Sequence, residues 1–206
     1  MLRSIGILLT CLLWASSGAE AANERTLLVY GDSLSAAYGL RADQGWVALL
    51  QKRLTAQGYG YRVVNASVSG ETTSGGKARL GRALEQHRPE IVILELGAND
   101  GLRGLPVAAA RDNLAAMIRS ISGIKARTLL VGIRMPPNYG PQYERSFNAM
   151  YGELARENRL PLVPFLLEKV ALEERYLQSD GMHPNEQGQP LLLETVWPFL
   201  QPLLHR

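Results

Sequence analysis

The chain contains one cysteine, Cys11, and three histidines. That supply leaves no disulfide pair and no cysteine-based metal site. Basic and acidic residues nearly balance, 22 against 19, for a net charge of +3 without a dense Lys/Arg block. A nucleic-acid partner would call for a basic face, so none is expected. No apolar run reaches the ~20 residues of a membrane-spanning helix. There is no internal repeat, low-complexity tract or dividing linker. No Gly-x-Gly-x-x-Gly follows the first apolar run and there is no P-loop, so nucleotide phosphates have no recognisable cradle. Gly-x-Ser-x-Gly is missing too, because Ser35 stands where its last glycine would be. The nucleophile elbow of the α/β-hydrolase fold is thereby excluded.

What is present begins with a leader. Arg3 supplies a positive start, Ile5 to Trp14 a short apolar stretch, and Ala19-Glu20-Ala21 a small-x-small cleavage site. This is the pattern of a secretory signal peptide, residues 1–21, with export of the mature chain as its consequence. Cys11 leaves with it. The full chain is 46% hydrophobic and 20% charged, an ordinary globular composition, and the mature chain is residues 22–206. It is large enough to build a single core without staples.

Five short apolar runs read as strands: Thr26–Tyr30, Tyr61–Asn65, Ile91–Leu96, Thr128–Ile133 and Leu162–Phe165. Most are continuous rather than alternating, as strands covered on both faces are. Between them lie helical stripes. Trp46, Leu49, Leu50 and Leu54 make one; Leu80 and Leu84 a shorter one. Ala110, Leu114, Met117, Ile118 and Ile121 make another, as do Tyr143, Phe147, Met150, Tyr151 and Leu154. Leu192, Val196, Phe199, Leu200 and Leu203 form the last, strained by Pro198. Alternating strand and helix predicts an α/β domain of three layers, a parallel sheet with helices on both faces. Such sheets form their sites in the loops at the carboxyl ends of the strands.

Those loops are rich in Gly, Ser, Asn, Asp and Pro. The first reads Gly31-Asp32-Ser33-Leu34, where Ser33 is expected to open a short helical turn closed by Gly39. N–H groups there could stabilise developing negative charge. The second contains Gly70, whose lack of a Cβ lets a backbone N–H approach a substrate oxygen. The third carries Asn99, an uncharged N–H donor. Ser33, Gly70 and Asn99 could thus make a three-donor oxyanion hole. In the last loop Asp180 precedes His183 by three residues, a spacing that lets a carboxylate reach Nδ1 of the imidazole and fix its tautomer. Each feature alone also reads as a turn or cap. His205 lies at the frayed end, and His87 reads as a helix-end cap. Asp100 and Glu95 are rival carboxylates, read here as loop structure and as half of a partly buried pair. Leu102, Leu105, Met135, Pro136, Pro137 and Tyr139 would surround Ser33 with apolar surface, an acyl groove rather than a sugar site.

Taken together and in chain order, Ser33 in Gly-Asp-Ser-Leu, Gly70, Asn99 in Gly-Ala-Asn-Asp and His183 in Asp-Gly-Met-His-Pro resemble the GDSL, or SGNH, hydrolase family. The resemblance spans essentially the whole mature chain. It implies a flavodoxin-like sheet of order 2-1-3-4-5 and a serine esterase that uses no metal or other cofactor. In that reading Ser33 is the nucleophile, His183 the base and Asp180 its orienting acid. The implied substrates are small acyl esters and thioesters, among them fatty acyl thioesters, lysophospholipids and aryl esters, met by a monomer. Carbohydrate or peptidoglycan O-deacetylation is the alternative that the same residues could serve.

Overall fold

The computed structural model describes residues 25–206. The leader assigned to residues 1–21 therefore lies outside the described residues. Five strands, β1 (Arg25–Gly31), β2 (Tyr61–Asn65), β3 (Ile91–Glu95), β4 (Arg127–Val131) and β5 (Leu162–Val163), form one sheet in the order β2-β1-β3-β4-β5. Every pairing is parallel. The central strands are sealed on both faces: Leu27 to Tyr30 and Ile91 to Leu94 have no exposed surface. This is why their sequences run apolar without a break. Each such leucine or isoleucine contributes about 2 kcal/mol through removal from water.

Helices α1 (Trp46–Ala56) and α6 (Gln189–Leu200) pack against each other on one face. Helix α2 (Thr73–His87), α4 (Val107–Gly123) and α5 (Pro141–Asn158) pack in that sequence on the other. The expected stripes face inward: Trp46, Leu50 and Leu54; Leu80 and Leu84; the whole α4 set; and Phe147, Met150, Tyr151 and Leu154 are buried. A five-residue helix, α3 (Ala98–Leu102), follows β3 directly and carries Asn99. Among the described residues no helix is long and apolar enough to cross a membrane.

The structure refines three local expectations. The last strand is two residues long rather than reaching Phe165, because the chain turns after Val163 and Leu166 N–H takes the Gly132 carbonyl in place of a regular ladder partner. Pro198 lies inside α6 without breaking it; the helix only tightens into a 3₁₀ turn over Gln201–Leu203. The Glu194 carbonyl, deprived of its usual donor by that proline, lies 3.5 Å from Lys169 Nζ. The segment after β1 is a chain of turns instead of a helix opening. Ser35 and Ala36 N–H donate to Asp32 O, and Tyr38 N–H to Ser33 O. Positive φ at Ala37 (58°) and Gly39 (74°) ends any helical path.

Candidate active site

The carboxyl ends of the strands bring the predicted residues to one edge. Ser33 follows β1, Gly70 lies between β2 and α2, Asn99 follows β3, and Asp180 and His183 lie in the segment before α6. That last segment is pinned despite having little regular structure. Gln178 N–H donates to His183 O at 2.8 Å, and Gln178 Nε2 donates to Tyr38 O and Pro184 O. Asn185 Nδ2 donates to Arg175 O and Leu177 O. The loop is thereby tied to the turn that holds Ser33.

His183 Nε2 lies 2.9 Å from Ser33 Oγ, and its Nδ1 lies 2.6 Å from Asp180 Oδ2. With the proton on Nδ1 donated to Asp180, Nε2 is left as an acceptor for the Ser33 hydroxyl. Asp180 Oδ1 accepts N–H bonds from Met182 (2.9 Å) and His183 (3.0 Å). Hydrogen bonds from the His183 backbone and ring, then from Met182 N–H, hold the Asp180 carboxyl down at about 2. The Tyr38 ring packs 4.5 Å from the imidazole.

The candidate oxyanion donors are the Ser33 and Gly70 N–H groups and the Asn99 amide. Among the described residues the Ser33 and Gly70 N–H groups donate to no protein acceptor, which leaves both available to a ligand. Gly70 has φ +78°, a conformation that suits glycine. Its carbonyl accepts from Arg103 Nη2 at 3.0 Å, and its neighbour Glu71 pairs with Arg79, which lies over the Tyr30 ring. The amide of Asn99 donates from Nδ2 to Glu71 O at 3.0 Å and, more weakly, to Asp32 Oδ2 at 3.3 Å.

Beside Ser33 lies a second pair of acids, Asp32 and Glu95. Asp32 and Glu95 have no exposed surface. Glu95 Oε2 accepts from Ser35 Oγ at 2.7 Å and from Asp32 N–H at 3.3 Å, while Oε1 has no partner. Burial, reinforced by Asp32, pushes the Glu95 carboxyl well up. Burial also raises Asp32, to about 6, against the opposing pull of Leu34 N–H, His183 and Asn99. Glu95 is thus fully rather than partly buried, and its backing of Ser35 requires Gly31, where a Cβ would fall 2.5 Å from Oε2. Asp100 is engaged elsewhere. It accepts from Thr73 N–H (2.8 Å) and Thr73 Oγ1 (2.6 Å) and so fastens α3 to the start of α2.

Ser33 and His183 open onto a cavity of about 810 Å³ whose apolar wall includes Leu34, Leu102, Met135, Phe165, Leu172 and Met182. The volume lies within the usual range for a small-molecule site. The GDSL-like lipase/acylhydrolase family model matches residues 29–191. The chain belongs to that family. It is 53% identical to esterase TesA of Pseudomonas aeruginosa over 90% of this chain and 92% of that protein. It is 43% identical to thioesterase 1/protease 1/lysophospholipase L1 of Escherichia coli over 90% of this chain and 88% of that protein. The crystal structure of TesA, 54% identical, covers 87% of this chain and 100% of that chain with a TM-score of 0.85. The chain is accordingly a GDSL hydrolase of ester bonds.

In this hydrolase Pro136 and Tyr139 line the same cavity as Leu102 and Met135. Met135 is almost entirely buried. Its N–H donates to Asn148 Oδ1 at 2.9 Å, and its thioether occupies space left by Gly101, where a Cβ would lie 2.5 Å from Sδ. Leu105 is not part of the wall; its carbonyl accepts from Tyr143 OH at 2.8 Å. The sequence reading missed Phe165, Leu167, Leu172 and Leu177, which also line the cavity. Their one sequence signal is position: they follow the fifth strand, on the edge where the other loops gather. Asp32 was missed as well, although it adjoins Ser33.

Proposed function

We propose that this hydrolase cleaves acyl esters and thioesters through an acyl-enzyme on Ser33, with His183 as base and acid and Asp180 as its orienting carboxylate. The Ser33 Oγ attacks the acyl carbon while His183 Nε2 takes its proton. The oxyanion is held by the Ser33 and Gly70 N–H groups and the Asn99 amide. Collapse breaks the bond to the leaving alcohol or thiol, which receives the proton from His183. Water then attacks the acyl-enzyme, giving its proton to His183, and the second collapse returns that proton to Ser33 as the acid is released.

The observation that carries this reading is the unbroken relay from Asp180 through His183 to Ser33, at 2.6 and 2.9 Å, opening on an apolar-walled cavity. Such a wall suits an acyl chain: fatty acyl thioesters, lysophospholipids and aryl esters are the proposed substrates. An acetylated sugar would need a denser set of polar partners than this wall offers. The proposal extends to a monomer exported to the periplasm by residues 1–21, where lipid-derived esters rather than cytosolic thioesters are at hand. The test compares the mature chain with Ser33→Ala on p-nitrophenyl esters from acetyl to palmitoyl, beside a medium-chain acyl thioester. Ser33-dependent turnover peaking above acetyl is expected. Turnover confined to acetyl would favour deacetylation, and turnover surviving in Ser33→Ala would remove the nucleophile.

A further inference from the structure

The buried acid beside the nucleophile has no part in the relay just described, yet it touches the oxyanion donor. An asparagine amide is nearly symmetric in shape, so its surroundings must decide whether NH₂ or O points at the substrate. Here the two N–H groups of Asn99 meet two acceptors: the Glu71 carbonyl at 3.0 Å takes one, and the ionised Asp32 Oδ2, at only 3.3 Å, holds the other loosely enough to be shared with an oxyanion. We propose that Asp32 is a positioning residue, whose ionised carboxylate, with the Glu71 carbonyl, locks the Asn99 side chain with its NH₂ toward the oxyanion. This rests on the oxyanion role proposed above for Asn99.

The rest of the pair supports the assignment. Asp32 Oδ1 accepts from Leu34 N–H at 3.1 Å, so the same carboxylate anchors the turn of Ser33 and the amide of Asn99. Two carboxylates that close cannot both ionise in a dry interior. Glu95, entirely buried and pushed further up, keeps its proton, and the single negative charge falls to Asp32. The titratable groups that face Asp32 are His183, which favours its ionised form, Asp100, which opposes it, and the coupled Glu95 carboxyl. Protonation of Asp32, or its replacement by an amide, removes one acceptor-only neighbour. The Asn99 amide is then free to turn its oxygen toward the site, where it would repel the developing oxyanion.

A double-mutant cycle tests this. The expected result is that Asp32→Asn lowers kcat by about 10²–10³-fold with KM little changed, the effect of losing one oxyanion donor. In an Asn99→Ala background the same substitution should cost less than about 3-fold, because residues acting as one unit are not additive. Losses that multiply, or an Asp32→Asn enzyme close to wild type, would overturn the proposal. A phosphonate label on Ser33 in each variant separates this outcome from failure of the nucleophile itself. Should Asp32→Asn not fold, the unsubstituted enzyme serves. Its Asn99 side-chain ¹⁵N resonances should move with pH as Asp32 ionises and should still move in His183→Ala. Resonances that stay fixed, or that cease to move in His183→Ala, would overturn the assignment.

Discussion

Two aspartates flank the machinery, and their surroundings are opposite. The Asp180 side chain is 39% exposed and held at about 2 by three hydrogen bonds from its own loop. Asp32 is wholly buried and raised to about 6 by desolvation. The first charge is cheap because N–H donors and water meet it. The second is costly because burial strips it of water and neighbouring acids oppose it, against the Leu34 N–H, the charge of His183 and the Asn99 amide. The difference teaches where a carboxylate can stabilise an imidazolium without burdening the fold, and where it is retained at the expense of stability.

Removing the group between them should have the largest effect. His183→Ala is expected to lower kcat by roughly 10⁴-fold or more, like the loss of Ser33 itself. Steady-state kinetics on a p-nitrophenyl ester reads this directly, and retained activity would contradict the base assignment. Asp180→Asn should cost on the order of 10³-fold in kcat, because the imidazole loses the acceptor that sets its tautomer. If Asp180→Asn were harmless and Asp100→Asn crippling, the orienting role would belong to α3.

The comparison sharpens with pH. The Asp32 carboxyl is raised on folding, so its ionised form disfavours the native state. That cost is absent below the ordinary carboxylate range and complete above about pH 6. Relative to wild type, Asp32→Asn should therefore gain on the order of 2 kcal/mol in unfolding free energy between about pH 4 and pH 8. Asp180 has the opposite sign. Its carboxyl is lowered on folding, so its contribution is present above the ordinary carboxylate range and fades as pH falls toward about 2. Urea titrations across that pH span check both, and a flat Asp32→Asn difference would refute the buried charge. Asp100→Asn should cost about 1–3 kcal/mol of stability, since Thr73 loses a charged acceptor, while kcat stays within a few-fold. Smallest is Met135→Ala, expected to move the preferred acyl length by a few carbons; an unmoved optimum across the ester panel would remove Met135 from the acyl wall.

The sheet was legible because Leu27–Tyr30 and Ile91–Leu94 are buried on both faces, and such burial leaves no room for polar alternation. The predicted site residues were legible because chemistry-bearing residues gather where each strand ends. Other features were not. Ser33 was read at a helix opening, since the left-handed turn at Ala37 has no sequence mark. The partnership of Asp32 with Glu95 depends on the parallel register that sets Gly31 opposite Glu95, a pairing that no local spacing encodes. The cavity residues from Phe165 to Leu177 follow a two-residue strand in irregular turns that carry no periodicity.

The central claim is that Ser33 becomes acylated. Mass spectrometry of the intact enzyme after a p-nitrophenyl alkylphosphonate tests it most directly. The account predicts one adduct per chain, mapped to Ser33, appearing as esterase activity is lost, and no adduct in Ser33→Ala. An adduct on another residue, or full inactivation with Ser33 unmodified, would contradict it.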